Sequence, residues 1–251
     1  MTGDGLDAGG RPSGRRLLRW WRSRRALNPG RPDAPAPVDR HIAFHRVLDA
    51  LRGDGCPACA LVARGVSARL GETLREQLND PTSRLRLRRS LGFCERHART
   101  ALSLAGALEM AILCHDLVAH ALRRLDAWRS GQRPAALDAC PECAAERRDL
   151  AEVVALIADL LADETVRSAY RTSAGLCVPH LEEVLRRSPE AGRAWLLEEE
   201  RRRLRALEVE LAERIRKADW RYCREPIGPE GDAHVRAAIK LSGIAPESGR
   251  A

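Results

Sequence analysis

Phenylalanine, tryptophan and tyrosine are scarce, nine residues in a chain of 251. Strands favour aromatic and β-branched side chains, so this scarcity argues against a large β-sandwich. The chain favours Ala, Leu, Arg and Glu instead, which are helix formers. It also lacks any run near the roughly 18 uninterrupted apolar residues that cross a bilayer. No apolar N-terminal stretch is followed by a small-residue cleavage site, and the expectation is a soluble cytoplasmic protein. Eight cysteines are too few for a disulfide scaffold, and in a reducing compartment they point to metal or redox chemistry. Lysine is nearly absent: two residues against 41 arginines, an imbalance that a GC-rich genome would also produce.

What is present divides unevenly along the chain. Residues 1–40 hold nine Arg against four Asp, which is +5 of the formal +8. They are rich in Gly and Pro, a composition that buries too little apolar area to offset the entropy of ordering, so a disordered basic tail is expected over 1–40. Within it, residues 15–25 (RRLLRWWRSRR) could form a basic amphipathic turn with weak affinity for anionic surfaces; a merely solubilising tail is the plainer reading.

From His41 onward the apolar residues keep a helical period. Ala43, Val47, Leu48 and Leu51 make one face; Leu61, Val62, Val66, Leu70, Leu74 and Leu78 make the next. Residues 101–128 are apolar around most of their circumference and read as a central buried helix, with Cys114 as a small core residue. A long helix is expected over 189–218 with Leu197, Leu204, Leu207, Leu211 and Ile215 inward. Its Glu198-Glu199-Glu200-Arg201-Arg202-Arg203 block reads as a solvated face. The fold class is therefore all-α. Helical modules are expected over 41–130 and 131–219, followed by a strap and short helix over 220–251.

The strongest signal is an internal repeat. Cys56-Pro57-Ala58-Cys59 recurs as Cys140-Pro141-Glu142-Cys143, and Gly92-Phe93-Cys94-Glu95-Arg96-His97 recurs as Gly175-Leu176-Cys177-Val178-Pro179-His180. Thirty-four residues separate Cys59 from Cys94, and thirty-three separate Cys143 from Cys177. Between the pairs, Asp80, Thr82, Arg84, Arg88, Ser90 and Gly92 align without gaps on Asp163, Thr165, Arg167, Arg171, Ser173 and Gly175.

A Cys-x-x-Cys knuckle turns both sulfurs toward one point, and proline after the first Cys rigidifies the turn. Cys and His three apart on a first helical turn share a face. Closing each half on itself gives two Cys₃His sets, Cys56, Cys59, Cys94 and His97, then Cys140, Cys143, Cys177 and His180. That donor set is a common one for structural zinc, with no position left for water or substrate. The glycine before each second pair suits a positive φ, and a helix N-terminus beside Cys94 or Cys177 would favour the thiolate. An iron–sulfur cluster on three Cys and one His is chemically allowed. Cys-Pro-x-Cys also occurs as a redox dithiol, but in α/β folds, and no βαβ pattern is visible here. Haem attachment fails because Ala60 and Ala144 stand where its histidine would be.

Outside the repeat, Cys223 reads as exposed. Glu109, Asp116 and His120 share one helix face, more readily a polar face than a second metal or acid/base site. The paired cysteine pattern, Leu78-Asn79-Asp80-Pro81 leading into Gly92-Phe93-Cys94, and the ending with Arg221, Tyr222, Glu225, Pro226, Gly228, Glu230 and Asp232 together resemble a family of uncharacterised bacterial proteins, a domain of unknown function, over about residues 42–243. That resemblance implies an architecture and no activity. The function expected is non-catalytic: a helical protein with two zinc ions and a macromolecular partner, a protein ahead of a nucleic acid. Nucleic-acid binding and redox or metal sensing are the alternatives.

Overall fold

The computed structural model describes residues 40–243, with the side chain of Arg40 left aside. Their helices are α1 (Arg40–Leu51), α2 (Pro57–Arg75), α3 (Pro81–Ser90), α4 (Glu95–Leu104), α5 (Ala107–Arg129), α6 (Pro141–Leu160), α7 (Glu164–Thr172), α8 (Val178–Arg187), α9 (Glu190–Arg216) and α10 (Ala233–Ser242), the last preceded by a 3₁₀ turn at Pro229–Asp232. No strand occurs among the described residues, and the all-α class holds. The basic tail, including residues 15–25, lies outside the described residues apart from Arg40. No helix among the described residues is long and apolar enough to cross a membrane.

Local chemistry explains where the helices start. Pro57 and Pro141 occupy first-turn positions of α2 and α6, directly after the N-cap residues Cys56 and Cys140; proline tolerates that position because its missing N–H would have no intrahelical partner. Asp80 caps α3 by accepting the Ser83 backbone N–H at 2.7 Å. Asp163 caps α7 by accepting the N–H of Thr165 at 2.8 Å. Arg84 Nε donates to the Leu78 carbonyl at 2.6 Å, and Arg167 Nε donates to the Leu161 carbonyl at 2.6 Å, so aligned residues of the two halves do the same local work. Gly92 and Gly175 have φ of +95° and +72°, the left-handed backbone that glycine adopts without penalty.

The centre of the fold is the pairing of α2 with α6. Gly65 faces Asp149, whereas Arg69, one turn later, reaches back to Glu142. The two helices therefore run antiparallel. Helix α4 packs on α2, and α8 packs on α6. Two apolar clusters flank this pair. One joins Val47, Leu51 and Ala58 to Val154, Ile157, Leu161, Tyr170, Leu176 and Leu196; the other joins Val66, Leu70 and Leu74 to Leu87, Ala101 and Leu113. Helix α2 contributes to both: the second cluster is drawn entirely from residues before 130, whereas the first joins the start of α2 to helices of the other half.

Three expectations need correction. The helix foreseen over 101–128 is two helices, broken at Ala105 and Gly106, and α5 buries only Leu113. Its apolar circumference faces outward, and Cys114 is exposed rather than part of a core. In α9, Leu197 and Ile215 are exposed, while Leu196, Glu199 and Glu200 face inward. The Glu-Arg block is accordingly not a purely solvated face, because two of its carboxylates, Glu199 and Glu200, are themselves buried. Glu200 accepts from the Tyr170 hydroxyl and pairs with Lys240. Glu199 pairs with Arg202 and Arg203. Hydrophobic counting could not anticipate a buried polar set of this kind.

Candidate metal centres

The eight cysteines and histidines of the repeat converge on two points, but not by halves. Cys56, Cys59, Cys177 and His180 form one group, and Cys94, His97, Cys140 and Cys143 form the other; within each, the donor atoms all lie within 4.8 Å of one another. The expected closure of each half on itself is thus replaced by a crossed one. The reason is geometric. Cys56 and Cys59 sit at the N-terminal end of α2, whose 19 residues span about 28 Å. The chain reaches Cys94 only after leaving the far end of that helix. There the antiparallel α6 begins, and its own knuckle meets Cys94 and His97. The spacing of the residues is the same for either closure, so the spacing could not distinguish them.

Each group takes its knuckle from one half and its Cys-x-x-His from the other. All four first cysteines are helix N-caps: Cys56 on α2, Cys94 on α4, Cys140 on α6 and Cys177 on α8. The partial positive charge of those helix starts favours thiolate there. The first group has His180 Nδ1 at 3.5 Å from the Cys56 sulfur, 3.3 Å from that of Cys59 and 3.2 Å from that of Cys177, with 3.8 Å between the sulfurs of Cys59 and Cys177. The second has His97 Nδ1 at 3.3 Å from Cys94 and 3.5 Å from both Cys140 and Cys143, with 3.6 Å between the sulfurs of Cys94 and Cys143. Zinc–sulfur bonds of about 2.3 Å and zinc–nitrogen bonds of about 2.0 Å set tetrahedral edges of about 3.8 Å between sulfurs and about 3.5 Å from sulfur to nitrogen. The donors fit a single tetrahedral ion. Thiol hydrogen bonds alone explain them poorly, because three thiols cannot donate along every close edge of such a cluster.

Protonation within the groups follows the same crowding. Contact with the Cys177 and Cys56 sulfurs pushes the His180 imidazole up to about 10. Hydrogen bonds from Cys177 and Cys59 hold the Cys56 thiol far below its ordinary value, while those to Cys177 and Cys56 push the Cys59 thiol up. In the second group, burial first and the Arg96 charge second lower His97; burial and then Cys94 raise Cys143 to about 11.

The surroundings of the two groups differ. His97 is buried, and its Nε2, without a hydrogen-bond partner, has the Glu146 carboxylate 3.5 Å away; Glu146 is in turn paired with Arg96. A carboxylate behind a ligating imidazole fixes its tautomer and raises its basicity. Sequence reading missed Glu146 because Val62 holds the corresponding place after Cys59. At the first group, the end of α10 closes over the sulfurs. A Cβ on Gly243 would lie 3.0 Å from the Cys177 sulfur, and Gly243 has φ of +72°. Next to this group lies a cavity of about 330 Å³ lined by Cys56, Cys177, Arg171, Arg202, Arg236 and Lys240. Its cations are already paired, Arg171 with Glu164, Arg202 with Glu199, Arg236 with Glu210 and Asp232, and Lys240 with Glu200.

Of the remaining candidates, Asp116 is held by Arg88 at 2.6 Å and Arg84 at 3.6 Å, which accounts for it without a metal. Glu109 and His120 join no metal-type group among the described residues. Cys223 is exposed, as expected. Comparison with family models, with curated proteins and with solved structures finds no match to this chain. The class defined by fold and site is an all-α protein with two Cys₃His groups able to hold metal ions.

Proposed function

We propose that this is a non-catalytic zinc protein of the bacterial cytoplasm, in which two ions staple the halves of a duplicated helical frame and the outer surface serves a protein partner. The carrying observation is the convergence of three sulfurs and one nitrogen within 4.8 Å, twice over. Such convergence supports a single ion over an iron–sulfur cluster, whose ligands bind separate irons and stand apart across it. Zinc is the ion that Cys₃His tetrahedra most often hold. The chemistry such an ion supplies is structural, since four protein donors leave no place for water or substrate. Cys56, Cys59, Cys177 and His180 would bind α2 to α8; Cys94, His97, Cys140 and Cys143 would bind α4 to α6. Glu146 would hold the His97 imidazole in the orientation that presents Nδ1. A protein partner, rather than nucleic acid, is supported by the exposed apolar face of α5 and by the pairing of the cavity's arginines with carboxylates.

Elemental analysis of protein purified without added metal tests the reading. Two zinc ions per chain and no visible absorbance are expected. A brown protein carrying iron and sulfide, or one with less than one metal per chain after anaerobic handling, would overturn it.

A further inference from the structure

The two metal groups differ in what lies over them. In the second, Cys94, Cys140 and Cys143 are all partly exposed. In the first, Cys56 and Cys177 are buried, and the C-terminal end of α10 rests on the sulfurs. The Gly243 carbonyl oxygen lies 3.5 Å from the Cys59 sulfur, and the same residue approaches Cys177 so closely that a Cβ on it would meet the sulfur at 3.0 Å. The repeat supplies this cover only once. Each Cys-x-x-His helix is followed by one long helix, α5 or α9; α5 is followed by the next knuckle with no helix between, whereas α9 is followed by α10.

Helix α10 is attached unlike the rest of the fold. Of its ten residues only Ala233, Ala237 and Lys240 are buried, so the apolar side chains that it buries fully are two methyl groups. Neither apolar cluster contains a residue of α10. Beneath it lies the cavity of about 330 Å³, bordered by Gly175, Leu204 and Leu207 on one side and by Arg236, Ile239 and Lys240 of α10 on the other. What holds the helix is ion pairing: Lys240 with Glu200, Arg236 with Glu210 and Asp232, and, at its base, Lys217 with Glu230. Burying such a pair returns little net stability, because both charges regain water when they part, and exposed pairs contribute less still. An element with few apolar contacts and unfilled space beneath it opens at lower cost than the helices of the core.

We infer that α10 is a hinged cover on the first metal group, pivoting on the turn at Pro229–Asp232. The ion of Cys56, Cys59, Cys177 and His180 enters or leaves only when α10 lifts, whereas the ion of Cys94, His97, Cys140 and Cys143 exchanges without it. The inference rests on the zinc reading above and adds to it a division of labour: one frame carries a retained ion and an exchangeable one.

Mixing the zinc-loaded full chain with excess pyridylazoresorcinol reads the rates directly, and pulsed thiol alkylation with peptide mass spectrometry shows which cysteines are freed. Two phases of one ion each are expected, with Cys94, Cys140 and Cys143 labelled in the fast phase and Cys56, Cys59 and Cys177 in the slow one. Arg236 is no donor and stands about two turns before Gly243. Arg236→Gln should speed the slow phase about three-fold and leave the fast phase unchanged, and Arg236→Lys, which keeps the charge, should restore most of the parent rate. Hydrogen exchange on the parent protein needs no variant: amides of α10 should exchange ahead of those of α2, α6 and α8. Release in a single phase, labelling in the reverse order, a slow phase untouched by Arg236→Gln, equal acceleration of both phases, or α10 amides as protected as those of α8 would overturn the inference. Failure of the zinc reading is distinct, because it shows in the metal content before any chelator is added.

Discussion

The sulfur of Cys94 lies 3.6 Å from that of Cys143, although the two residues belong to different copies of the repeat. Cys59 and Cys177 stand in the reciprocal relation at 3.8 Å. Each cluster is therefore a bond between halves.

Crossed closure has a consequence for stoichiometry that in-half closure reverses. The double variant Cys56→Ser, Cys177→Ser damages one cluster twice, and is expected to lose about one metal per chain. The double variant Cys56→Ser, Cys94→Ser damages both clusters, and is expected to lose about two. If each half closed on itself, the second pair would spare one metal and the first would remove both. Elemental analysis of the two proteins decides the matter, provided circular dichroism shows both still helical.

Removing metal should loosen the molecule as a whole rather than half by half. Binding to the folded state alone stabilises it by about 2.7 kcal/mol when free ligand is at a hundred times its dissociation constant. Both ions tie helices of different halves, so chelation is expected to lower the unfolding temperature in one cooperative transition. Two separated transitions after chelation, each assignable to one stretch of sequence, would count against the crossed frame. Readdition of zinc should restore the original curve.

Glu200 tests whether the buried polar set matters. Its side chain is 2% exposed and lies against Lys240, which is 9% exposed, and against the Tyr170 hydroxyl, which also accepts the Leu176 N–H at 3.0 Å. Lys240→Met removes the nearer of the two cations beside Glu200, leaving Arg203 Nε at 3.7 Å, and should cost about 3 kcal/mol, the low end for breaking a buried pair. Tyr170→Phe leaves Leu176 N–H without its acceptor and should cost about 1–3 kcal/mol. Because the two changes share Glu200, their effects should not add. Urea unfolding of the singles and the double checks all three values; a Lys240→Met protein as stable as the parent would show that Glu200 is not held by that pair.

Much of this architecture was legible in the sequence, and its gaps have physical causes. The helices, the capping aspartates and the positive φ of Gly92 and Gly175 all follow from local rules, which act over a few residues and leave a signature there. The eight donor residues were legible because Cys-x-x-Cys and Cys-x-x-His are local too. Which knuckle meets which histidine depends on α2 and α6 running antiparallel, a relation set by packing between residues some eighty positions apart. The burial of Glu200 was hidden for a like reason: its partners Tyr170 and Lys240 lie 30 and 40 residues away. The outward face of α5 misled because a helix apolar all round reads as buried, and composition does not say whether the cover comes from the same chain.

The C-terminal strap offers a pH-dependent test away from the metal groups. Lys217, at the end of α9, donates to Glu230 at 2.7 Å, and the Gly228 N–H donates to the same carboxylate oxygen at 2.9 Å. Contact with Lys217 first, and the backbone N–H next, lower the Glu230 carboxyl from 4.5 to about 2. Lys217 is raised above its ordinary 10.5 by the same contact. A depressed carboxylate stabilises the fold fully above its unfolded value and loses that contribution as pH falls through the folded one. The raised lysine acts oppositely, contributing below 10.5 and fading above its folded value. The pair is therefore at full strength between about 4.5 and 10.5, and the acid side of its loss lies between about 4.5 and 2. Acid release of metal occupies part of that range, but it is common to the parent and to Glu230→Gln, so the difference between them isolates the strap. That difference should be constant above pH 4.5 and shrink toward zero as pH approaches 2. Hydrogen exchange at α10 gives the local reading, since Glu230 sits in the turn that leads into it; a parent–variant difference that is flat across the acid range would remove Glu230 from the account of how the strap is held.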